Sequence, residues 1–436
     1  MSLPKNVLYT NQVESSYARN YNNNIAPQNG TGPYGGGETI IINIPTSRNL
    51  VMSGADSVFK FSLTVTNGAA ANNYIRLDKC GAHGCIKRVR IFHGSTLLSD
   101  IDNYNNLVAM MMALQQSEDS STGKQNLLAG FDGSNLSCGE KLNPAQAAIG
   151  AATTIRHYAI PIMNFLTYSD KYVPLFALTG APLRIELQLV NTPAEFICST
   201  VALASFSITN VEYIVNFMEL SDDAMIKINA ASGNGPITWV VQDYRNYNNT
   251  ITIAANGEYS IPVPAKFNSL RSLYNTYRSK SSGAITFFPM DSTHFGLDSY
   301  TWRMGSRTVP TKPPQTYVEF FSEVIRAIGS ISDLNHEPFI NKFSYSDKQA
   351  PIANDETAVA TTANTSSNSF YTGLDCEAYS SSGMATVYQG YNSRTDDIFF
   401  IPKYNSSATA GLIRIDTYAY FDQVIVIENG FARVEY

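Results

Sequence analysis

Residues 89–116 read VRIFHGSTLLSDIDNYNNLVAMMMALQQ, and this stretch decides the fold. It begins with β-forming residues, turns at Gly94 and Ser95, and restarts as a short apolar strand. Asp100 and Asp102 are predicted to cap a helix, because carboxylates accept hydrogen bonds from the free N–H groups at a helix start. A largely apolar stripe at helical spacing follows, formed by Leu107, Val108, Met111, Met112 and Gln115. The predicted unit is therefore strand, glycine turn, strand and helix.

A second copy of this unit is predicted at residues 300–329, YTWRMGSRTVPTKPPQTYVEFFSEVIRAIG. The turn glycines Gly94 and Gly305 are 211 residues apart (305 − 94), close to half of the 436-residue chain. Thr316 and Glu319 form a capping box, in which each side chain bonds the backbone N–H of the other residue. The predicted buried stripe consists of Phe320, Phe321, Val324, Ile325 and Ile328. Gly329 is expected to end the helix in a left-handed conformation. Coincidence is one interpretation, since such units are common; we favour the other, that one domain type occurs twice.

The composition is that of a globular protein with a largely neutral surface. Only 15% of the residues are charged, against roughly 25% in a typical soluble domain. The net charge of −6 offers no general attraction to nucleic acid, and the first 30 residues contain no basic arm. The short cluster Lys87, Arg88 and Arg90 is predicted to be a solvated or inter-subunit face rather than a phosphate track.

The cysteine content bears on the compartment. Five cysteines are present, an odd number without framework spacing: Cys80, Cys85, Cys138, Cys198 and Cys376. We therefore expect mostly free thiols in a reducing cytoplasm. The N-terminus shows no signal-peptide pattern, and no apolar run approaches the ~20 residues that a membrane-spanning helix requires. We expect a soluble protein that is not exported by a cleaved leader.

Many short predicted strands and two convincing helices favour an all-β chain of sandwiches. We predict an extended N-terminal arm at residues 1–37, a first domain at 38–220, a linker at 221–236 and a second domain at 237–436. Strands are predicted, among other places, at residues 39–44, 58–66, 183–190, 204–215, 237–242, 250–254, 412–420 and 423–427.

These features together resemble the double jelly-roll major capsid proteins of icosahedral double-stranded DNA viruses. The strand–glycine–strand–helix signature of that family matches residues 89–112, with Gly94 at the turn. A second family pattern, an apolar-Pro-apolar strand followed by Pro-Leu, Ala-Leu and an alternating strand, is similar to residues 158–190. The matching residues are Ile160, Pro161, Ile162, Pro174, Leu175, Ala177, Leu178 and the strand at 183–190. The resemblance spans roughly residues 38–436 and consists of ordered patterns rather than close identity.

The resemblance implies two tandem eight-stranded jelly rolls, with short helices after the repeated unit. It implies a structural, non-enzymatic viral major capsid protein whose homotrimer imitates a hexamer and builds an icosahedral shell. Long polar loops at residues 117–150 and 347–369 would form towers or clasp neighbours. The implied partners are copies of the chain in the trimer and in neighbouring capsomers, penton and minor capsid proteins, and possible contact with an internal lipid membrane, without direct nucleic-acid binding. The implied location is the virion, after assembly in the host cytoplasm, and no cofactor is implied.

One cluster has the residue types of a metal site. Cys80, His83, Cys85 and His93 place four soft ligands within fourteen residues. A zinc site needs four such ligands in tetrahedral array, and this spacing fits none of the usual fingers. We interpret the cluster as a Gly-rich turn with buried thiols, and we predict no metal-binding, catalytic or cofactor-binding residue.

Two other patterns could belong to a sugar-processing site. The acidic pairs Asp222-Asp223 and Asp396-Asp397 are predicted to be solvated turns, because glycosidase carboxylates come from separated strands. Trp239 is predicted to lie in the core or in a subunit contact rather than to stack on a sugar, and so is the second tryptophan, Trp302.

Two alternative functions stay open. A shell-plus-projection coat protein of a small RNA virus would place its shell in residues 38–220, but the missing basic arm and the repeated unit count against it. A secreted carbohydrate-binding or glycan-cleaving β-sandwich is the other alternative. The absent signal peptide and the odd cysteine count disfavour it.

Overall fold

The fold is that of a computed structural model of the chain. It describes residues 18–67, 75–131, 138–142, 153–169, 171–199, 203–231, 235–279, 289–329, 342–346, 369–378, 389–406 and 411–435, with the single residues 233, 331, 338, 340 and 408. The strands of the first half are β1 (Ala18–Ile25), β2 (Thr39–Ile44), β3 (Leu50–Asn67), β4 (Ile75–Asp78), β5 (Ile86–His93), β6 (Thr96–Asp102), β7 (Cys138–Lys141), β8 (Thr153–Ile160), β9 (Leu183–Leu189), β10 (Ile197–Ser199) and β11 (Leu203–Leu220).

The second half contributes the remaining strands of the described residues. They are β12 (Ile237–Ile253), β13 (Ile261–Val263), β14 (Leu270–Ser279), β15 (Leu297–Met304), β16 (Arg307–Val309), β17 (Tyr371–Asp375), β18 (Ile398–Tyr404), β19 (Gly411–Glu428) and β20 (Phe431–Glu435). The α-helices are α1 (Tyr104–Gln115), α2 (Glu118–Ser120), α3 (Asn126–Ala129), α4 (Phe165–Tyr168), α5 (Asp222–Ala231), α6 (Tyr317–Ile328) and α7 (Lys342–Tyr345).

The first half is a jelly roll built from two four-stranded sheets. One sheet has the order β1-β11-β3-β8 and the other the order β2-β9-β5-β6, and all of these pairs are antiparallel. Alternation of apolar residues produces the inward faces, as in β9, where every second residue from Leu183 to Leu189 is buried. A small sheet of β10, β4 and β7 lies beside this sandwich.

The second half repeats the same topology. Its sheets have the orders β12-β19-β14-β17 and β13-β18-β15-β16, with β20 added to β19. In each half the first strand pairs with the last, the last with the third, and the third with the sixth of eight, counting only these sandwich strands. The remaining four strands form the facing sheet in the same order. The all-β fold of two tandem jelly rolls, predicted from the resemblance, is therefore confirmed.

The repeated unit that decides the fold is also confirmed. Gly94 (φ 58°) joins β5 to β6, and Gly305 (φ 59°) joins β15 to β16. A twelve-residue helix follows each hairpin, α1 in the first half and α6 in the second. The capping box at Thr316 and Glu319 is present. A second half of this kind does not fit the shell-plus-projection alternative, which needs an unrelated second module.

The details of the two helices differ from the prediction. Asp100 does not cap α1, because its carboxylate pairs with Arg88, and Asp102 bonds only the N–H of Asn103. Asn103 is the residue that precedes the helix, in a left-handed conformation. Residues 104–114 of α1 are buried on every side rather than along one stripe, and the Gln115 predicted in that stripe is exposed.

The stripe of α6 is shallower than predicted. Phe320 and Val324 are buried, whereas Phe321, Ile325 and Ile328 are half-buried. The final residue of that segment also departs from the prediction: Gly329 has φ 179°, which is extended rather than left-handed. The helix packs over β17 and β14.

The predicted arm and linker contain regular structure. The prediction of an extended arm over residues 1–37 is wrong for residues 18–25, because β1 pairs along its whole length with β11. Tyr34 is also held, by a backbone bridge to Ile208. The linker at 221–236 contains helix α5, so Asp222 and Asp223 lie in a helical first turn, where carboxylates are favoured, rather than in a loop.

The long-loop predictions are only partly covered by the described residues. Within 117–150, the described part contains α2, a π-helical turn at Ser121–Gln125, α3 and β7, so this excursion is structured rather than a plain loop. Residues 132–137, 143–150 and 347–368 lie outside the described residues. Among the helices that the structure describes, none has the length and apolar character to cross a membrane.

Candidate functional site

The two jelly rolls meet along a buried surface that we call the inter-barrel interface. On the first half it is formed by β6, α1 and the 3-10 turn Gly81–Cys85, and on the second by β12, β17, β19 and β20. Residues from both halves, such as Leu107 and Trp239, belong to one continuous apolar cluster. The interface therefore holds the two jelly rolls in a fixed arrangement.

Asn103 occupies the centre of the interface. Its side-chain Nδ2 donates to Asn246 Oδ1 of β12 (3.1 Å) and lies 3.4 Å from Asp416 Oδ1 of β19. Its backbone carbonyl accepts a hydrogen bond from the Tyr418 hydroxyl (2.8 Å). The left-handed conformation (φ 48°), which asparagine tolerates better than most residues, directs these groups across the interface. One residue before α1 thus bonds three residues of the other half.

The carboxylate of Asp416 is fully buried and is compensated by two arginines. Arg278 Nη2 lies 2.7 Å from Asp416 Oδ2, and Arg414 Nη2 lies 2.9 Å from Oδ1. A buried carboxylate is costly unless it is paired and hydrogen-bonded, and here both conditions are met. The pair of arginines therefore allows a charged group to serve the interface.

A second buried polar cluster joins the 3-10 turn to the second half. Asp78 accepts hydrogen bonds from the backbone N–H groups of Lys79 and Met290, both at 2.7 Å. Lys79 Nζ lies 3.7 Å from Asp291 and 5.7 Å from the centre of the Tyr371 ring. Burial raises the pKa of both carboxyls, and nearby Lys79 opposes that shift. Burial lowers the pKa of Lys79, but Tyr371, Asp291 and Asp78 outweigh it, so the net direction is upward.

Further polar contacts follow the edge of the interface. Gln423 Nε2 donates to the carbonyl of Leu98 (3.2 Å). The backbone N–H of Ala432 in β20 donates to His93 Nδ1 (3.2 Å), which leaves His93 Nε2 to donate to the carbonyl of Leu178 (3.3 Å). Both ring nitrogens of His93 thus have hydrogen-bond partners. The C-terminal strand is thereby joined to the hairpin of the first half.

Asp243 of β12 lies in the same interface beside Ser99 of β6. Its side chain is buried, with 2% exposed. Burial raises the pKa of Asp243 to about 7, and the nearby Ser99 side chain and the backbone N–H of Tyr244 oppose part of that shift. Its protonation state therefore changes close to neutral pH, and this makes the interface sensitive to pH.

The interpretation of Cys80, His83 and Cys85 as a buried Gly-rich turn is confirmed. All three residues are fully buried, and Cys80 Sγ lies 2.9 Å from Met290 Sδ of the second half. Tyr104 accepts from the N–H of Met163 and donates to His83 Nδ1 (3.2 Å). Burial lowers the pKa of His83 to about 3 and raises the pKa of both thiols. Neutral side chains that pack against a neighbouring domain are the result.

The described cysteines match the expectation of free thiols. Cys80, Cys85, Cys198 and Cys376 form no disulfide, and the first three are buried. Across the described residues, no group of three or more His, Cys, Asp or Glu side chains is placed to hold a metal ion.

The basic cluster of β5 is neutralised by acids on neighbouring elements. Arg88 Nη2 lies 2.6 Å from Asp100, and Arg90 Nη2 lies 2.9 Å from Glu186. Lys87 makes a longer pair with Glu195 (3.9 Å). These cations are half-buried and do not form a track of available charge, which agrees with the solvated-face interpretation.

The other residues singled out in the sequence lie apart from one another. Asp397 is an exposed residue paired with Lys266 (2.8 Å), consistent with a solvated turn. Trp302 is fully buried in the second core, whereas Trp239 is buried in the inter-barrel interface and donates to Ser169 Oγ (3.1 Å). Both tryptophans therefore have the structural roles that their sequence context favoured, and neither offers a face to a sugar.

Sequence reasoning missed the residues that join the two halves. Asn103, Lys79 and Asp416 belong to no recognised motif, and their partners in the other jelly roll lie at least 143 positions away in the chain. One signal was available for Asn103, since an asparagine directly before a helical segment is a candidate for a left-handed cap. For Lys79, the sequence offered no comparable signal, since the nearby Arg76 and the adjacent Asp78 are also charged.

Comparison with known proteins agrees with this geometry. The family described as "Major capsid protein N-terminus" matches residues 13–247, more than half of the chain. A comparison with curated proteins yields no match.

Solved structures share the complete fold at low identity. PBCV-1 VP54, fitted into a reconstruction of the virophage Sputnik, has a TM-score of 0.64 at 11% identity, covering 98% of this chain and 99% of that one. The Sputnik virophage structure gives 0.65 at 9%, covering 100% and 92%. The mavirus major capsid protein gives 0.55 at 10%, covering 100% and 95%. With the family match and the duplicated jelly roll, the chain belongs to the viral major capsid proteins.

Proposed function

We propose that this major capsid protein assembles as a homotrimer that imitates a hexamer and tiles an icosahedral shell. The observation that carries the proposal is the identical strand order of the two sandwiches, β1-β11-β3-β8 and β12-β19-β14-β17 with their facing sheets. Three chains with two equivalent barrels each provide six similar units around one axis. Closed cyclic symmetry is the usual outcome for soluble homo-oligomers.

The inter-barrel interface supports this role because it makes the two barrels one block. Asn103 and Lys79 are buried residues of the first barrel that bond to residues of the second. Rotation of one barrel against the other would therefore leave buried polar groups without partners. Such groups cost roughly 1–3 kcal/mol each. We assign the jelly rolls to residues 38–220 and 237–436, with β1 added to the first and α5 in the connection at 221–236.

The proposed partners are other copies of the chain, penton and minor capsid proteins, and a lipid membrane where one underlies the shell. We propose no direct nucleic-acid binding, because the net charge is −6 and the cations of β5 are paired with acids. We further propose that the protein has no enzymatic activity and no cofactor. Assembly in the host cytoplasm fits four cysteines that form no disulfide among the described residues.

Size-exclusion chromatography with light scattering tests the proposed trimer. A chain of 47.8 kDa predicts a particle of about 143 kDa (3 × 47.8). A monomer of about 48 kDa at micromolar concentration would contradict the proposal, and a monomer that binds glycans would favour the carbohydrate-binding alternative instead.

A further inference from the structure

The first strands of the two jelly rolls carry nearly the same heptapeptide. Residues 19–25 read RNYNNNI in β1, and residues 245–251 read RNYNNTI in β12, identical at six of seven positions. Both strands pair antiparallel with the last strand of their own jelly roll. Asn20 faces Met218 in that pairing, and Asn246 faces Tyr418. The two strands are therefore equivalent in sequence and in their place in the topology.

Their surroundings differ. Asn246 is half-buried in the inter-barrel interface, where it accepts a hydrogen bond from Asn103 at the corner between β6 and α1. By contrast, residues 18–24 of β1 are all exposed. The side chains of Asn20, Asn22 and Asn24 share one side of β1, because neighbouring residues of a strand point to opposite faces. We call these three residues the β1 amide face.

The segment equivalent to the β6–α1 corner is also exposed. In the second half it is the β16–α6 corner, defined here by Thr316, Tyr317, Val318 and Phe321. Thr316 precedes α6 as Asn103 precedes α1. Val318 is 80% exposed, although it is aliphatic. These residues line a mostly apolar groove of about 500 Å³, together with Ile340, Lys342, Tyr345 and Ser346.

We infer that the β1 amide face of one chain docks on the β16–α6 corner of a second copy. The contact would repeat, between chains, what β12 and the β6–α1 corner do within one chain. The contact is heterologous, because two different surfaces meet. Repeated heterologous contacts form a closed ring when the rotations from each chain to the next add up to one full turn. The inference rests on the proposed trimer, in which three internal and three intermolecular contacts alternate. Each chain would then bury its β1 amide face against one neighbour and its β16–α6 corner against the other.

The chemistry of the two surfaces matches this occupant. The three residues of the β1 amide face are uncharged. Asn22 Oδ1 accepts a hydrogen bond from Asn216 Nδ2 of β11 (3.0 Å), and Asn24 Nδ2 donates to Glu212 Oε2 (3.4 Å). Neighbouring side chains of β11 on the same side, Ile214 and Met218, are half-buried and add apolar area beside the amides. An uncharged and partly apolar surface suits a mostly apolar groove beside the hydroxyl of Thr316.

Four single variants of the full chain test the inference by light scattering. Asn20→Arg enlarges the β1 amide face, and Asn23→Arg places the same side chain on the other side of the strand. Val318→Asp charges the corner, and Ile226→Asp makes the same change at a 65% exposed aliphatic residue of α5. We expect Asn20→Arg and Val318→Asp to be mainly monomeric at concentrations where the other two and the wild type are trimeric. Circular dichroism and thermal melting of each variant verify that it is folded.

Mixing two defective variants tests whether the contact is heterologous. A Val318→Asp chain keeps its β1 amide face, and an Asn20→Arg chain keeps its corner, so the mixture should form a dimer of about 96 kDa (2 × 47.8) that neither variant forms alone. Sedimentation velocity with one variant fluorescently labelled would detect this dimer. The mixture is measured at concentrations tenfold above those used for the light scattering of each variant alone.

The outcomes separate this inference from the proposed trimer. A wild-type protein that is monomeric would contradict the trimer itself. A trimeric wild type with trimeric Asn20→Arg and Val318→Asp would overturn only the docking inference. Loss of the trimer in all four folded variants, or a mixture that contains only monomers, would overturn it too.

Discussion

The hydroxyl of Tyr418 donates a 2.8 Å hydrogen bond to the backbone carbonyl of Asn103, across a sequence separation of 315 residues. It joins the corner before α1 in the first jelly roll to the last strand of the second. Together with the side-chain bond from Asn103 to Asn246, it fixes the two barrels at one point. The stability of the chain should therefore respond strongly to this position.

We expect Asn103→Gly to lower the free energy of unfolding by about 1–2 kcal/mol, because the side-chain bonds are lost while the backbone carbonyl stays in place. Asn103→Ala should cost roughly 1 kcal/mol more, since alanine is strained in the left-handed conformation and glycine is not. Denaturant unfolding of both variants provides the measurement. Equal stability of the two variants would contradict the role given to the backbone conformation.

The equivalent hairpin glycines should differ in their tolerance of alanine. Gly94 and Gly305 have nearly the same positive φ, so alanine at either position should cause a backbone strain of roughly 1–2 kcal/mol. A Cβ at Gly305 would also lie 2.9 Å from Asp396 Cγ, whereas a Cβ at Gly94 would lie 3.3 Å from Ala181 Cβ. Thermal melting should therefore show the larger loss for Gly305→Ala. A larger loss for Gly94→Ala would count against the close approach of Asp396 to the hairpin.

Asp243 should make stability fall as pH rises toward neutrality. Its folded pKa is raised to about 7 by burial, while the unfolded chain titrates near 3.9. The protonated carboxyl favours the folded state, so its contribution is complete below about pH 4 and is lost between about pH 4 and 7, at up to roughly 1.4 kcal/mol per pH unit. Above pH 7 no further loss is expected from this group.

Asp243→Asn isolates that contribution. The variant should be more stable than the wild type at pH 8, and the difference should disappear as pH falls toward 4. Urea unfolding at four or five pH values provides the comparison. A difference between the two proteins that does not change with pH would contradict the assigned titration.

Lys79 should be far more sensitive to substitution than an exposed lysine. Lys79→Met would leave Asp78 and Asp291 buried without their cation, at a cost of about 3–5 kcal/mol. The control is Lys60→Met, which removes an exposed pair with Glu212 (3.2 Å) and should cost less than about 1 kcal/mol. Adding Asp291→Asn to Lys79→Met should restore part of the loss in denaturant unfolding. Equal losses at Lys60 and Lys79 would contradict the buried cluster.

Sequence patterns were sufficient where the cause of structure is local. The strand predicted at 39–44 is β2, and the alternation at 183–190 marks β9, because each buries one face in its own sandwich. The capping box of α6 is equally local, since both partners lie within four residues. Turn glycines were informative for the same reason.

Patterns failed where distant parts of the chain supply the environment. Helix α1 was predicted to have one buried stripe, yet the second jelly roll covers its other side. Each of the long strands β12 and β19 was predicted as two pieces, because polar residues at their centres interrupt the apolar pattern that propensity recognises. Asn-rich β1 was predicted as an arm for the same reason, although β11 supplies its hydrogen bonds.

One duplicated jelly roll should allow three chains to imitate sixfold symmetry. Electron cryomicroscopy of the purified particle tests it most directly. We predict a closed ring of six barrels with threefold symmetry, in which contacts within and between chains alternate. A particle with two barrels, or a ring built from a number of chains other than three, would contradict it.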